Sequence, residues 1–373
     1  MDTIFVIATH TAKSKARTGI QTVVRGLLWG LSQRQADVQV VRWRKWHRTL
    51  STLGARRRQR LGLPSRTERI PGSDRRHGVW LLLPELVYRG RINRMIDYAR
   101  KRKMRVAAIF YDAIPVSHPK LVRREAAQYH ADYMKALCDV DLLIATSNSA
   151  ADQFRAFVQK HSLRPPPIFV CSLPGELTDQ ERLGAKPNNI SEAIDILCVS
   201  TLEPRKNHET LLKAFQLASS VISRPELRLH LAGNRYKDAE FVVKMVESAI
   251  SRNRNVTWHG KVTAQQLADC YRQCDFTVYP SFLEGFDLPI VESLWHRRPC
   301  ICADFGAMAE AGKDGGCLSV DVRDPAKLGE AIIALATRPE LRQKLVDEIE
   351  NRTMKTWADY ADEICNALEA NTS

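Results

Sequence analysis

The stretch Tyr279-Pro280-Ser281-Phe282-Leu283-Glu284-Gly285-Phe286-Asp287-Leu288-Pro289-Ile290-Val291-Glu292 joins the end of an apolar run, residues 276–279, to the start of a helix at Leu288-Pro289. Proline near a helix start sacrifices no hydrogen bond, because the N–H it lacks has no intrahelical partner anyway. Asp287, just ahead of it, is of the type that accepts hydrogen bonds from first-turn amides. Glu284 then lies on a Gly-containing loop, and Glu292 about one turn into the helix, on a face that can look back at the loop. The backbone N–H groups between them, at Gly285, Phe286, Asp287 and Leu288, sit at a positive helix end, which suits an anion. A ligand with a phosphate group and several hydroxyls fits such a place; a capped surface helix with two unrelated glutamates fits the same spacing.

Strands and helices alternate on both sides of this junction. In the first half, apolar runs at residues 3–8, 38–43, 79–83, 105–111, 142–145 and 168–171 read as strands. Helical patterns at 20–33, 89–103, 122–138 and 149–160 separate them, the last capped by Ser147. Residues 174–193 are polar and rich in Gly, Pro and Asn, a linker composition. The alternation then restarts, with strands at 194–199, 227–232, 256–259, 276–279, 300–303 and 318–320, and two closing helices at 325–337 and 339–369. Such alternation predicts two doubly wound α/β domains, each a parallel sheet with helices on both faces. The predicted limits are 1–175 and 190–355, with a basic insertion at about 44–78 and a C-terminal helix and tail at 356–373 that packs back on the first domain.

At 373 residues the chain is long enough for two separate cores, and its composition, 44% hydrophobic and 26% charged, is that of a globular protein. Nine cysteines at irregular spacing match no zinc or redox motif, so the sequence predicts free, buried thiols in a reducing, cytoplasmic compartment. No apolar run approaches the length of a membrane span. The formal net charge is +14, and residues 42–76 hold twelve Lys or Arg against Glu68 and Asp74. With Trp43 and Trp46 as aromatics suited to a headgroup interface, this block predicts contact with an anionic membrane surface through residues 42–76, and few apolar anchors of its own. A solvated loop accounts equally well for the charge.

Further chemistry-bearing residues fall at strand ends. Thr201-Leu202-Glu203-Pro204-Arg205-Lys206-Asn207 puts two adjacent cations beside a helix start, a fork and a point charge suited to a diphosphate. Arg17-Thr18-Gly19-Ile20-Gln21 follows the first strand, and Tyr111-Asp112-Ala113-Ile114-Pro115, with His118 nearby, ends the fourth. A carboxylate at a strand's C-terminal end is well placed for a site.

The Glu-x7-Glu spacing of Glu284 and Glu292, with Gly285-Phe286 after the first and Leu288-Pro289 before the second, resembles the signature of retaining glycosyltransferases of the GT4 type. Glu203-Pro204-Arg205-Lys206-Asn207-His208 is similar to that family's diphosphate-binding turn, and Thr18-Gly19-Ile20-Gln21 to the loop of one bacterial branch. The family pattern has Gly where this chain has Asp287, and His where it has Tyr111. The resemblance implies a GT-B fold, two Rossmann-like domains facing each other across a cleft. It implies that Glu284 contacts the donor sugar, Glu292 the ribose and the intervening amides the diphosphate, while Arg205 and Lys206 neutralise the leaving group. It places Gly19 and Ile20 at the phosphates and acceptor, and Asp112, with His118 as the lesser candidate, beside the reacting sugar. No metal or other cofactor is expected.

The function implied is retaining transfer of a sugar from a nucleoside diphosphate donor to a hydroxyl of a glycan or lipid-linked acceptor. The branch points to GDP-mannose or a GDP-6-deoxysugar and to bacterial surface polysaccharide such as lipopolysaccharide or capsule; an acceptor carried on a lipid, with the basic block, would keep the enzyme peripheral at the inner membrane face. A GT-B sugar-nucleotide epimerase is the alternative from a neighbouring class, but it lacks the Glu-x7-Glu arrangement. A nucleic-acid-binding protein built on the basic block is disfavoured, since no reading helix or RNP-type strand accompanies the charge; nucleic acid is not an expected partner.

Overall fold

The computed structural model describes residues 3–14, 19–34, 37–63, 78–88, 90–122, 124–177, 182–186, 192–236 and 239–372. The chain divides into two compact units, Met1–Leu173 with Lys355–Ser373, and Pro174–Met354.

In the first unit the elements run β1 (Thr3–Ile7), α1 (Gly19–Gln33), β2 (Val38–Arg44), β3 (Thr49–Thr52), α2 (Ala55–Arg60), β4 (Val79–Leu83), α3 (Arg91–Arg100), β5 (Arg105–Phe110), α4 (Ile114–Ser117), α5 (Arg124–Leu137), β6 (Leu142–Ala145), α6 (Asn148–Lys160) and β7 (Ile168–Val170). The sheet order is β3-β2-β1-β4-β5-β6-β7. All pairs are parallel except β2–β3, in which Trp43 faces Leu50 across an antiparallel hairpin. β1 is buried along its whole length, as an uninterrupted apolar run requires when helices cover both faces.

In the second unit β8 (Ala193–Val199), α7 (His208–Val221), β9 (Glu226–Ala232), α8 (Glu240–Arg252), β10 (Val256–Trp258), α9 (Ala264–Gln273), β11 (Phe276–Tyr279), α10 (Leu288–Trp295), β12 (Cys300–Ala303), α11 (Gly306–Gly312), β13 (Cys317–Val320), α12 (Pro325–Thr337) and α13 (Pro339–Asn351) build an all-parallel sheet of order β10-β9-β8-β11-β12-β13. In each sheet the strand order reverses once, at β1/β4 and at β8/β11. Helices leave to opposite faces on either side of such a point, which opens a crevice at the strands' C-terminal ends. The site residues below are on the segments that follow these four strands and β5.

Two elements differ from the sequence reading. The closing helix of residues 339–369 is two helices, because Thr356 and Asp359 form a capping box that starts α14 (Trp357–Ala370) afresh. α14 lies on the first unit, against α1. A Cβ at Gly26 would run into the Trp357 indole, and one at Gly30 into the Trp357 carbonyl, so the two glycines let the helices touch. The Arg34–Asp362 pair at 2.8 Å and the Trp80 indole N–H on Thr372 Oγ1 at 3.0 Å fasten the same helix.

The basic block is also more structured than its composition suggests. Residues 44–63 form β3 and α2, anchored by buried Leu50, Leu53 and Leu61. Trp43 is a core residue, 6% exposed and edge-on to Tyr98 at 5.5 Å, and so is not a headgroup aromatic. Its place in a strand whose alternate residues face inward decides this. Residues 64–77, the rest of the block, lie outside the described residues. Among the described residues no helix is long and apolar enough to cross a membrane, and all nine cysteines are free thiols.

Candidate active site

In the second unit the turn after β8 and the loop after β11 meet through charge. Glu284 Oε1 accepts from Lys206 Nζ at 2.5 Å, and Oε2 from Arg205 Nη1 at 2.6 Å. Ser281 Oγ is 2.5 Å from Glu284 Oε1, the Tyr279 hydroxyl accepts from Lys206 Nζ at 2.7 Å, and Arg205 Nη2 reaches Glu203 at 2.8 Å. The cations are on a single 3₁₀ turn, Pro204–Lys206, which ends at Asn207 in the left-handed region (φ 57°). Asn207 caps α7 through Oδ1 and donates from Nδ2 to the Pro280 and Val322 carbonyls, so one amide side chain locks turn to loop. Burial alone would push the Glu284 carboxyl up, but Lys206 and then Arg205 hold it below the usual carboxylate range. Arg205 is conversely held more firmly protonated, Glu284 and Glu203 outweighing its own desolvation.

Two cations and two carboxylates leave the cluster formally neutral, which governs Asp287. This side chain is fully buried, and neither carboxyl oxygen has a hydrogen-bond partner. Burial, then the nearby Glu284 charge, raise its pKa well above the ordinary aspartate value and so favour the neutral acid. The expectation that its side chain caps α10 is therefore corrected. Its backbone carbonyl does so instead, accepting from Ile290 N at 3.1 Å and Val291 N at 3.3 Å, so those two amides are not open to an anion.

Glu292 does not join Glu284. It is buried on the inner face of α10, where Oε2 accepts from Tyr271 OH at 3.1 Å. Burial raises its pKa to about 7, and the Tyr271 bond only partly opposes that. Phe286 and Leu288 pack partly buried on the unit's core, positioning the loop between the two glutamates that Gly285 opens.

In the first unit Asp112 follows β5. Its Oδ1 accepts from Ile114 N at 3.0 Å, a local turn that aims the carboxylate. Its backbone carbonyl takes a hydrogen bond from His130 Nε2 at 2.9 Å, which leaves Nδ1 to accept from Tyr88 OH at 2.9 Å. His130 is 2% exposed, and burial lowers its pKa against the opposing pull of Asp112. His118 lies in the loop after α4, exposed, with Nδ1 2.9 Å from Ser117 Oγ. Gly19 and Ile20 open α1; Arg17 and Thr18 lie outside the described residues. Buried Glu85, just past β4, accepts from His10 N at 2.8 Å and Thr11 N at 2.6 Å and so fixes the segment after β1.

The structure thus brings Arg205, Lys206 and Glu284 into direct contact and sets Glu292 apart from them. It adds Tyr279, Ser281 and Glu203 to the cluster, and His130, Tyr88 and Glu85 to the first unit. Ser281, three residues before Glu284, was legible as a loop hydroxyl. Nothing in the spacing of His130, eighteen residues beyond Asp112, marks it as a partner.

Residues 179–352 match the family described as "Glycosyl transferases group 1". The chain is similar to O-antigen chain mannosyltransferase B of Escherichia coli, 33% identical over 123 residues, 33% of this chain and 32% of that one. Serotype-specific mannosyltransferase WbdA of Escherichia coli is 23% identical over 246 residues, 62% of this chain and 29% of its own length. The chain therefore spans about a third of the length of these curated relatives. Among solved structures, Anabaena Alr3699/HepE in complex with UDP and glucose superposes with a TM-score of 0.70 at 14% identity, covering 99% of this chain and 100% of that one. Sucrose-phosphate synthase (tll1590) from Thermosynechococcus elongatus gives 0.66 at 15% identity, with 99% of each covered. The two parallel-sheet Rossmann-like halves share with these structures the GT-B fold.

Proposed function

We propose that this protein is a retaining, metal-independent glycosyltransferase of the GT4 type that moves a sugar from a nucleoside diphosphate donor, GDP-mannose or a GDP-6-deoxysugar, to a hydroxyl of a glycan or lipid-linked acceptor in bacterial surface polysaccharide assembly. The observation that carries the reading is the Glu284–Lys206–Arg205 cluster at the β8/β11 reversal. Two of the three Lys206 N–H directions go to Tyr279 and Glu284, leaving the third for a phosphate oxygen. Arg205 and Lys206 neutralise the charge that develops as the diphosphate departs, and positioned charge of this kind commonly supplies the largest part of catalysis.

In the reaction the bond from the sugar's anomeric carbon to the diphosphate oxygen breaks, and a bond to the acceptor oxygen forms on the same face. The acceptor proton passes to an oxygen of the departing diphosphate. Glu284 positions both cations and meets the donor sugar's hydroxyls, and Glu292, once ionised, accepts from the ribose. Asp112 orients the reacting hydroxyl, with His118 the lesser candidate for that task, while Gly19 and Ile20 border the phosphates. The mannosyltransferase names of the two Escherichia coli relatives support the donor class.

The test is thermal stability with GDP, UDP, dTDP and ADP, followed by turnover with the matching sugar nucleotides. A nucleotide at a hundred times its Kd adds about 2.7 kcal/mol of stability. GDP is expected to give the largest shift. No shift with any of the four at millimolar concentration would remove the donor-site reading.

A further inference from the structure

The β2–β3 hairpin carries a feature that the sugar-transfer reading leaves unused. At its tip, residues 44–48 are Arg-Lys-Trp-His-Arg, all exposed, and Trp46 is 88% exposed, the largest value among the exposed large hydrophobics. The Lys45 ammonium lies 5.3 Å from the Trp46 ring centroid. Three residues earlier Trp43 is buried, so the strand's alternation sends one indole into the core while the other lies beyond the strand's end.

The surroundings are of one sign. Residues 42–60 contain eight Lys or Arg and no Asp or Glu. The Arg42 guanidinium is held below its ordinary pKa by burial and by the charges of Arg57 and Arg44, so the arginines of α2 and of the hairpin crowd together. α2 itself, Ala-Arg-Arg-Arg-Gln-Arg, buries none of its residues. Like charges in a stretch that carries no carboxylate of its own, beside an indole at a loop tip, are the chemistry of an anionic lipid headgroup layer: the ring's apolar body and its N–H match the interface, and the cations match the phosphates.

We propose that the β2–β3 tip with α2 docks on an anionic lipid bilayer, Trp46 entering the headgroup layer and Arg44, Lys45, Arg56 and Arg57 lying over it. The proposal stands apart from the donor-site reading, because neither its residues nor its readout involves sugar transfer.

The experiment is flotation of the full chain with vesicles of equimolar phosphatidylglycerol and phosphatidylcholine, against vesicles of phosphatidylcholine alone, at low and high salt. The parent is expected to float with the anionic vesicles only, and to be released as salt screens the attraction over about 8 to 10 Å. Each cation near such a surface contributes roughly a fivefold factor in partitioning, so Arg44→Ser/Lys45→Ser/Arg56→Ser/Arg57→Ser should bind several hundredfold more weakly. Trp46→Ser should weaken binding at every salt concentration and lose the tryptophan quenching that brominated lipid produces in the parent. All these side chains are exposed or half-buried, and unchanged thermal midpoints confirm that the variants fold. A parent that stays unbound at low salt overturns the proposal, as does binding that both variants retain. Equal displacement by a duplex oligonucleotide with no brominated-lipid quenching assigns the patch to nucleic acid and also overturns it.

Discussion

Glu284 and Glu292 are eight residues apart on one loop–helix segment, and both are buried, yet their surroundings drive them in opposite directions. Around Glu284 two cations arrive from another turn of the sheet, and the carboxyl is held ionised. Around Glu292 there is one neutral donor, Tyr271, and burial lifts the pKa to about 7. Under the proposed function a repeated residue type in one motif does two jobs: a permanent anion that positions cations, and a carboxyl that ionises when a ligand offers it hydroxyl donors. Pairs of titratable groups whose environments push them apart commonly mark acid, base and binding roles.

The strongest way to break the contrast is to remove the cation. Lys206→Ala leaves Glu284 buried with Arg205 as its only cationic partner, and breaking a buried pair costs about 3 kcal/mol or more. Under the proposed mechanism it also lowers kcat at least about a hundredfold, roughly 2.7 kcal/mol of barrier. Urea denaturation and steady-state turnover measure the two effects separately. Turnover within a few-fold of the parent would show that Lys206 does not meet the leaving group.

The next largest effect is in pH dependence, where the two glutamates have opposite signs. The folded pKa of Glu292, about 7, lies above its unfolded value of about 4.3, so between them the folded protein binds more protons and stability falls as pH rises. The whole cost, at most about 4 kcal/mol, is present above pH 7. Glu292→Gln should remove that slope between pH 4.5 and 7 and raise the donor KM more than it lowers kcat. Glu284, depressed by its cations, acts the other way: its contribution is present above the unfolded pKa and is lost as pH falls through the folded one. A Glu292→Gln protein whose stability still declines from pH 5 to 7 as the parent's does would mean that Glu292 is not the group titrating there.

Much of this was open to reading because it depends on local pattern. The doubly wound units follow from apolar runs alternating with amphipathic stretches, and Arg205, Lys206 and Glu284 stand out because each follows a strand. What stayed hidden depends on contacts between distant segments. Asp287 looks like any helix-capping carboxylate until burial beside Glu284 makes its ionisation too costly, and its backbone then takes over the cap. Trp43 and Trp46 look alike in the basic block until strand alternation separates them. The break before α14 did have a local mark, the Thr356-x-x-Asp359 box, which an uninterrupted helical period masks.

The smallest effect sharpens a second comparison, between the charged cluster after β11 and the neutral one after β5. His130 donates to the Asp112 carbonyl and accepts from Tyr88, an arrangement that works only while the ring is neutral. Its folded pKa is depressed, chiefly by burial, so its contribution to stability is present above about 6.5 and is lost as pH falls through the folded value. Tyr88→Phe deletes the hydroxyl that Nδ1 accepts from and should cost about 1 kcal/mol at pH 7.5. Once the ring is protonated it no longer accepts from Tyr88, so the parent gives up the bond that the variant never had. The difference in unfolding free energy between the two proteins should therefore shrink as pH falls from 7.5 through the folded value of His130, which paired urea titrations at successively lower pH measure. A difference that grows on acidification would mean that the proton sits on Nδ1 instead, with Tyr88 as its acceptor, and that the Asp112 carbonyl is held by something other than this ring.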